Sequence, residues 1–203
     1  AALRGPVGMN RTYVRVGEPK GDAKASVRQW LDGLKAGRSF ATNSPLLSLT
    51  IGEAQPGDEI KLKAGKHRLS WSAEMRSIAP VDRVEIVVNG EIAASVSLDD
   101  EGRSAAGMGE LEIDESSWIL LRAISDKASP LVFDLYPHAT TSPIYVTVGG
   151  SPMRSAEDAT FFIQWMDRLI AFAQESDDWN TIAERDAVVA SFNRARKEFE
   201  RRR

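Results

Sequence analysis

WLDGLKAGRSFATNSPLLSL, residues 30–49, decides the fold, because the spacing of apolar residues changes within it from helical to extended. Its first third completes an amphipathic helix expected over about Asp22–Ala36. Asp22 can cap that helix, and Val27, Trp30, Leu31 and Leu34 recur on one face. Gly37 stands where a left-handed C-terminal cap belongs. A face of that kind should lie against a neighbour. Upstream, Ala1–Asn10 is rich in Gly, Pro and Ala without periodicity and reads as a linker into a short extended segment, Arg11–Val16.

From Ser39 to Val148 the period is two, with turn signals about every ten residues, which is the pattern of a β-sandwich or barrel. Nine strands are expected near 46–51, 58–63, 66–75, 82–88, 91–98, 108–113, 117–124, 131–135 and 143–148. Turns such as Pro56-Gly57-Asp58, Asp99-Asp100-Glu101-Gly102 and Ser129-Pro130 separate them.

At Asn89-Gly90 a two-residue type I′ loop would pair Val88 with Glu91 and Ile86 with Ala93, splitting the apolar residues between two faces. A three-residue loop with Gly90 in a left-handed bulge instead pairs Ile86 with Ile92 and Val84 with Ala94. Val84, Ile86, Ile92, Ala94, Val96 and Leu98 then share one face, so the bulged turn is expected.

After Gly149-Gly150 the period returns to 3.6. Ala156, Phe162, Ile163, Trp165, Met166, Leu169, Ile170 and Ala173 form a broad stripe over about Ser155–Gln174. A second helix is expected from about Asn180, with Ile182, Val189, Phe192 and Phe199 as its apolar positions. The short joint Glu175–Asp178 makes the pair an antiparallel hairpin. The expected architecture is therefore mainly β with α additions: an Ig-like β-sandwich of about 8–9 strands, one helix before it and a helical hairpin after it. Residues 1–38 hold the linker, extended segment and helix, 39–150 the sandwich, and 151–203 a hairpin packed on the same domain.

With 203 residues the chain is long enough for a real core, and a net charge of −3 gives no reason to expect nucleic acid or an anionic membrane as partner. The absence of cysteine excludes disulfides, thiolate zinc sites and a cysteine nucleophile, while leaving the compartment open. No apolar run approaches the ~20 residues that span a bilayer, so a soluble protein without membrane attachment is expected. Beginning at Ala1 without methionine, the chain reads as a processed or truncated product.

Only two histidines occur, His67 and His138, with no H-x-H, HExxH or carboxylate cluster around them. No metal or other cofactor is expected in this chain. His67 continues the alternation Leu69, Trp71, Ala73, Met75 and reads as a strand-end residue bordering the core. No GxSxG elbow or glycine-rich phosphate loop occurs, and no basic-aromatic interleaving suggests base stacking. Six cations in Arg194–Arg203, interrupted by Glu198 and Glu200, read as a solvated helix face favourable to a helix C-terminus.

Several segments resemble the region that follows the metal-binding domain in carbaryl-hydrolase-type (CehA/McbA-like) metallohydrolases of the PHP superfamily. Residues 30–49 are similar to the pattern wl-x-gl-x-aGr-x-F-x-TNGPLL, with Ser44 in place of its glycine. The resemblance continues in GMNRTYVRV (8–16), PVDRVEIVVNG (80–90), SSWILLRA (116–123, like sgW-x-x-x-R), TSPIYVTVGG (141–150) and SAEDATFFIQWMDRLI (155–170). The loop around His138 is similar to AHTSPvYv, lengthened by one residue at Thr140-Thr141.

The resemblance implies that the full-length protein hydrolyses ester, carbamate or phosphoester bonds with divalent metal. That metal would be held in an N-terminal catalytic barrel, whose last G-[ST]-D motif would lie just upstream of Ala1. This chain would then be a non-catalytic domain with that barrel as its partner, helping to shape the substrate entrance. Arg11, Trp30, Asn43, Trp118, Arg122 and His138 are the candidate contacts to it. His138 is either a loop histidine bonded to backbone, the simpler reading, or a residue offered to the barrel. Trp118 and Arg122 share one side of a strand with Leu120 between them, and an arginine on such an apolar face either grips a carboxylate or stacks on an aromatic ring. Two other readings stand beside this one: a free-standing Ig-like module binding carbohydrate or protein, and a homo-oligomer assembled through the helical hairpin.

Overall fold

The structure, a computed structural model, describes residues 8–18 and 21–203, so most of the expected linker lies outside the described residues. Eleven strands and three helices occur among them, giving a mainly β chain with one helix between the first strand and the second and two helices after the last strand. The chain divides into two compact units, Ala1–Pro152 and Met153–Arg203.

The first unit is a β-sandwich. Its smaller sheet aligns β3 (Leu46–Ile51), β5 (His67–Arg76) and β8 (Ser104–Ile113), all antiparallel. The larger sheet has eight strands built around β9 (Ser117–Ile124). One edge of β9 pairs with β10 (His138–Thr141) and then β11 (Ile144–Val148); the other pairs with β6 (Arg83–Val88), which carries β7 (Glu91–Ser95). Beyond β10 lie β2 (Ser39–Thr42) and β1 (Arg11–Val14), and β4 (Glu59–Leu62) runs parallel to β11.

Alternation in the sequence becomes the sandwich interior. On β5, Trp71, Ala73 and Met75 are buried while Ser72, Glu74 and Arg76 face water. On β9 the buried set is Ser117, Ile119, Leu121 and Ala123. Leu49, Ile51, Val84, Ile86, Ile144 and Val146 complete the same apolar core. Trp71 needs room: a Cβ added at Gly109 on β8 would lie 2.9 Å from its indole, so the glycine is what lets the ring lie flat across the neighbouring strand.

Three expectations are corrected. The stretch 131–135 is not a strand: Pro130–Val132 forms a 3₁₀ turn capped by Ser129, and Phe133 and Asp134 both take left-handed backbone (φ 57° and 58°). Proline and two left-handed residues defeat an apolar run that otherwise reads as extended. Conversely β2 and β10, each four residues long, go unforeseen because Ser, Thr and His dominate them.

The loop after β6 also differs from the expected one. Val88 pairs with Glu91 across Asn89 (φ 50°) and Gly90 (φ 96°), the two-residue geometry. The extra residue is taken up further along, where the register shifts between Ile86 and Val87 and leaves Ala93 unpaired. Ile86 then faces Ala94, and the Val96 amide donates to the Val84 carbonyl at 2.8 Å, so Val84, Ile86 and Val96 reach the core as expected. Ile92, opposite Val87, does not; it is exposed. A bulge two residues from the turn thus sorts the strand that a bulge in the turn was expected to sort.

Helix α1 (Ala23–Lys35) is capped by Asp22, whose carboxylate accepts from the Ala25 amide at 2.9 Å. It meets β1 through Gly33, where an added Cβ would fall 2.7 Å from Val14 Cγ1; only a residue without a side chain permits that approach. Among the described residues nothing covers the other apolar side, and Val27, Trp30, Leu31 and Leu34 are exposed.

The second unit is a hairpin of α2 (Ala156–Glu175), capped by Ser155, and α3 (Ile182–Arg202), capped by Thr181. Phe162 stacks on Phe199 with centroids 4.9 Å apart, and Arg196 Nε donates to Asp167 Oδ1 at 2.6 Å, which makes the pair antiparallel. Ala159, Ile163 and Ala173 are its buried side chains; α3 has none.

Candidate functional site

Three of the six candidate residues come together at one end of the larger sheet. Arg11 pairs with Thr42 at the start of β1, and Asn43 follows β2 directly. Asn43 is buried and spends its whole side chain on the segment entering β10: Nδ2 donates to the Tyr136 carbonyl and Oδ1 accepts from the His138 amide, each at 2.8 Å. Its own amide donates to the His138 carbonyl at 3.1 Å. Asn43 is therefore a clamp on the backbone, and the His138 ring is left pointing outward and exposed. Arg11 is also exposed, with its guanidinium carbon 5.8 Å from the Tyr13 ring centre.

Ser44 closes the same corner. Its backbone is not left-handed, so nothing there demands the glycine of the related pattern. Its hydroxyl pairs with that of Ser77 at 2.9 Å and accepts from the Ala79 amide at 3.3 Å, tying the corner to the smaller sheet's connection.

Arg122 lies one ladder step inward and has a partner. Its Nε donates at 2.7 Å to Oε2 of Glu85, a buried carboxylate directly opposite on β6, and Arg83 Nε approaches Oε1 at 3.4 Å. Arg83 also forks onto both oxygens of Asp126 (2.6 and 2.9 Å), and this pairing raises its pKa. Asp82 accepts from the Asp126 amide at 2.7 Å, the main reason its carboxyl titrates below the usual range; the Ser125 hydroxyl adds to it. These charges fasten the end of β9. Arg122 grips a carboxylate, and the contact bridges two neighbouring strands.

Between these fastenings runs the loop 127–137, which contains the apolar run 131–135. It presents Leu131, Phe133, Leu135 and Tyr136 to solvent on backbone held by Ser129, Asn43 and the left-handed pair. The signal in the sequence was Ser129-Pro130, a cap and a ring that start a turn.

The remaining candidates lie elsewhere. Trp118 is half-buried at the other end of β9, opposite Tyr145, with its amide bonded to Asn89 Oδ1 at 3.0 Å. Trp30 is on α1. His67 opens β5 and bonds through Nε2 to the Lys63 carbonyl at 2.8 Å, the bordering role its alternation suggested.

Among the described residues no group of three or more His, Cys, Asp or Glu could hold a metal ion. A shallow cleft of about 280 Å³ opens beside β1 and β2, lined by the stacked rings of Tyr13 and Phe40 (5.1 Å) with Arg15, Arg38, Leu49 and Gln55. Its lining includes no histidine or carboxylate, so it offers no acid-base pair. No helix among the described residues is long and apolar enough to cross a membrane.

No family model and no curated protein matches the chain. Among solved structures, a lytic polysaccharide monooxygenase from Jonesia denitrificans is similar over 46% of this chain at 16% identity and a TM-score of 0.25. The chain spans 60% of that protein's length, and at this level the likeness assigns neither fold nor activity.

Proposed function

We propose that this chain is the non-catalytic β-sandwich domain of a metal-dependent hydrolase of the CehA/McbA-like type. It would pack on an N-terminal PHP catalytic domain and shape the entrance to that domain's substrate site. The observation that supports this reading is the open face of α1: Val27, Trp30, Leu31 and Leu34 form a contiguous apolar stripe on a helix that is otherwise well capped. Stable monomers seldom leave such a stripe to water. The exposed loop Leu131–Tyr136 adds a second apolar surface on the sandwich.

The test joins this chain to a catalytic domain of that type, produced separately, and measures association by sedimentation. A complex is expected, weakened about tenfold or more by Trp30→Ser as a central aromatic anchor is lost. Failure to associate, or association indifferent to Trp30→Ser, overturns the reading.

The loop itself favours a second reading, a carbohydrate-binding module, because Phe133 and Tyr136 are aromatic rings exposed at one end of a sandwich. Retention on a polysaccharide column, lost in Tyr136→Ala, would support that alternative.

A further inference from the structure

Helix α2 carries two apolar stripes where a hairpin can use one. With 3.6 residues per turn, Ala159, Phe162, Ile163, Met166, Ile170 and Ala173 fall on one side, and that side meets α3. Phe161, Trp165 and Phe172 fall on another, roughly a third of a turn away, and all three are exposed. Phe161 lies 6.0 Å from Trp165 between ring centroids and meets Phe162 edge-on at 5.4 Å. Arg168 lies in the same stripe, exposed and, among the described residues, without an ion pair.

We propose that this stripe is a two-fold interface through which α2 packs antiparallel against α2 of a second copy, the two hairpins making a four-helix bundle. The spacing argues for a second copy and not a foreign partner. Positions 161, 165, 168 and 172 are palindromic about the point between 166 and 167. A two-fold axis there sets Phe161 against the partner's Phe172 and Trp165 against the partner's Arg168. The first is an aromatic pair and the second places a cation on an indole face. A two-fold interface requires such self-complementarity, and here both pairings are favourable. The same axis brings Asp158 near the partner's Glu175, at the solvated ends of the helix.

Area points the same way. At about 150–250 Å² per aromatic side chain, the exposed fractions of the three rings amount to roughly 350 Å² per chain, so about 700 Å² across the axis. That is more than half of the smallest standard interface, and the flanking side chains of a helix of 20 residues can supply the rest. A hairpin with three buried side chains has, conversely, little core of its own.

Sedimentation of the full chain tests this. The unaltered protein should dimerise at micromolar concentration, and Trp165→Glu should raise the dissociation constant about 30-fold or more while leaving the far-ultraviolet dichroism unchanged. Because the chain has no cysteine, single cysteines report the register. Phe161→Cys mixed with Phe172→Cys should cross-link under mild oxidation, and neither variant should do so alone. A monomer at all concentrations overturns the proposal, as does a dimer indifferent to Trp165→Glu. So would a dimer lost with Trp30→Ser instead, and so would cross-linking of either single variant as fast as the mixture.

Discussion

Trp71 and Trp165 both stand in the middle of strongly periodic stretches, yet Trp71 is 8% exposed and Trp165 49%. The difference lies in what each kind of element can enclose. Two sheets laid face to face bury each other's inner surface, so every inward position of β5 and β9 has a counterpart within the same chain. A helix offers a stripe, and a hairpin of two helices covers only the stripe between them. The sandwich is closed by its own topology, whereas α1 and α2 leave apolar side chains exposed.

The sharpest way to break that contrast is at the two extremes. Trp71→Ala should destabilise the chain by about 3–5 kcal/mol in denaturant unfolding, because a large buried ring leaves a cavity over Gly109. Leu31→Ser on the open face of α1, measured alongside, should shift stability by less than about 0.5 kcal/mol. Similar losses for both would mean that α1 is covered within the chain and that the contrast is false.

A smaller effect separates fastening from docking at the His138 end. Arg122→Ala removes the main partner of buried Glu85 and should cost about 2 kcal/mol, less than a fully buried pair because the arginine is partly solvated. Glu85→Gln should cost less, since the charge it leaves unpaired, on Arg122, is partly solvated. If Arg122→Ala left stability intact but abolished binding to a catalytic domain, the arginine would belong to the docking surface after all.

The smallest effect concerns the hairpin's own charges. Hydrogen bonds from Arg201 and then Arg202 lower the Glu198 pKa from 4.5 to about 2. A carboxyl whose folded pKa is depressed stabilises the fold above its unfolded value and loses that contribution as pH falls through the folded one. Glu198→Gln should therefore melt at a lower temperature than the unaltered chain above about pH 4.5 and converge with it towards pH 2. A constant difference across that window would show that the ion pairs contribute nothing.

Much of this molecule was legible in its residues where a local rule has few rivals. Asp22 and Gly37 marked the ends of α1, and the alternation of β5 named its buried face. Legibility failed where several residues had to be weighed together. The run Leu131–Leu135 looked extended until Pro130 and the left-handed pair turned it, and β2 and β10 are too short and too polar to announce themselves. The site residues divided in the same way. Sequence pattern put Trp118 and Arg122 on one face of a strand, but not Glu85 opposite Arg122, nor Asn43 across from the segment entering β10.

What the sequence determined by itself is therefore the class of architecture, since hydrophobic period and capping act over a few neighbouring residues. Only the tertiary structure decided which surfaces close. Whether Ile92 faces water depends on a bulge two residues from its turn, and whether Trp30 or Trp165 finds cover depends on what lies beyond its own helix. Burial is a property of pairs of surfaces, and one stripe carries no record of its partner.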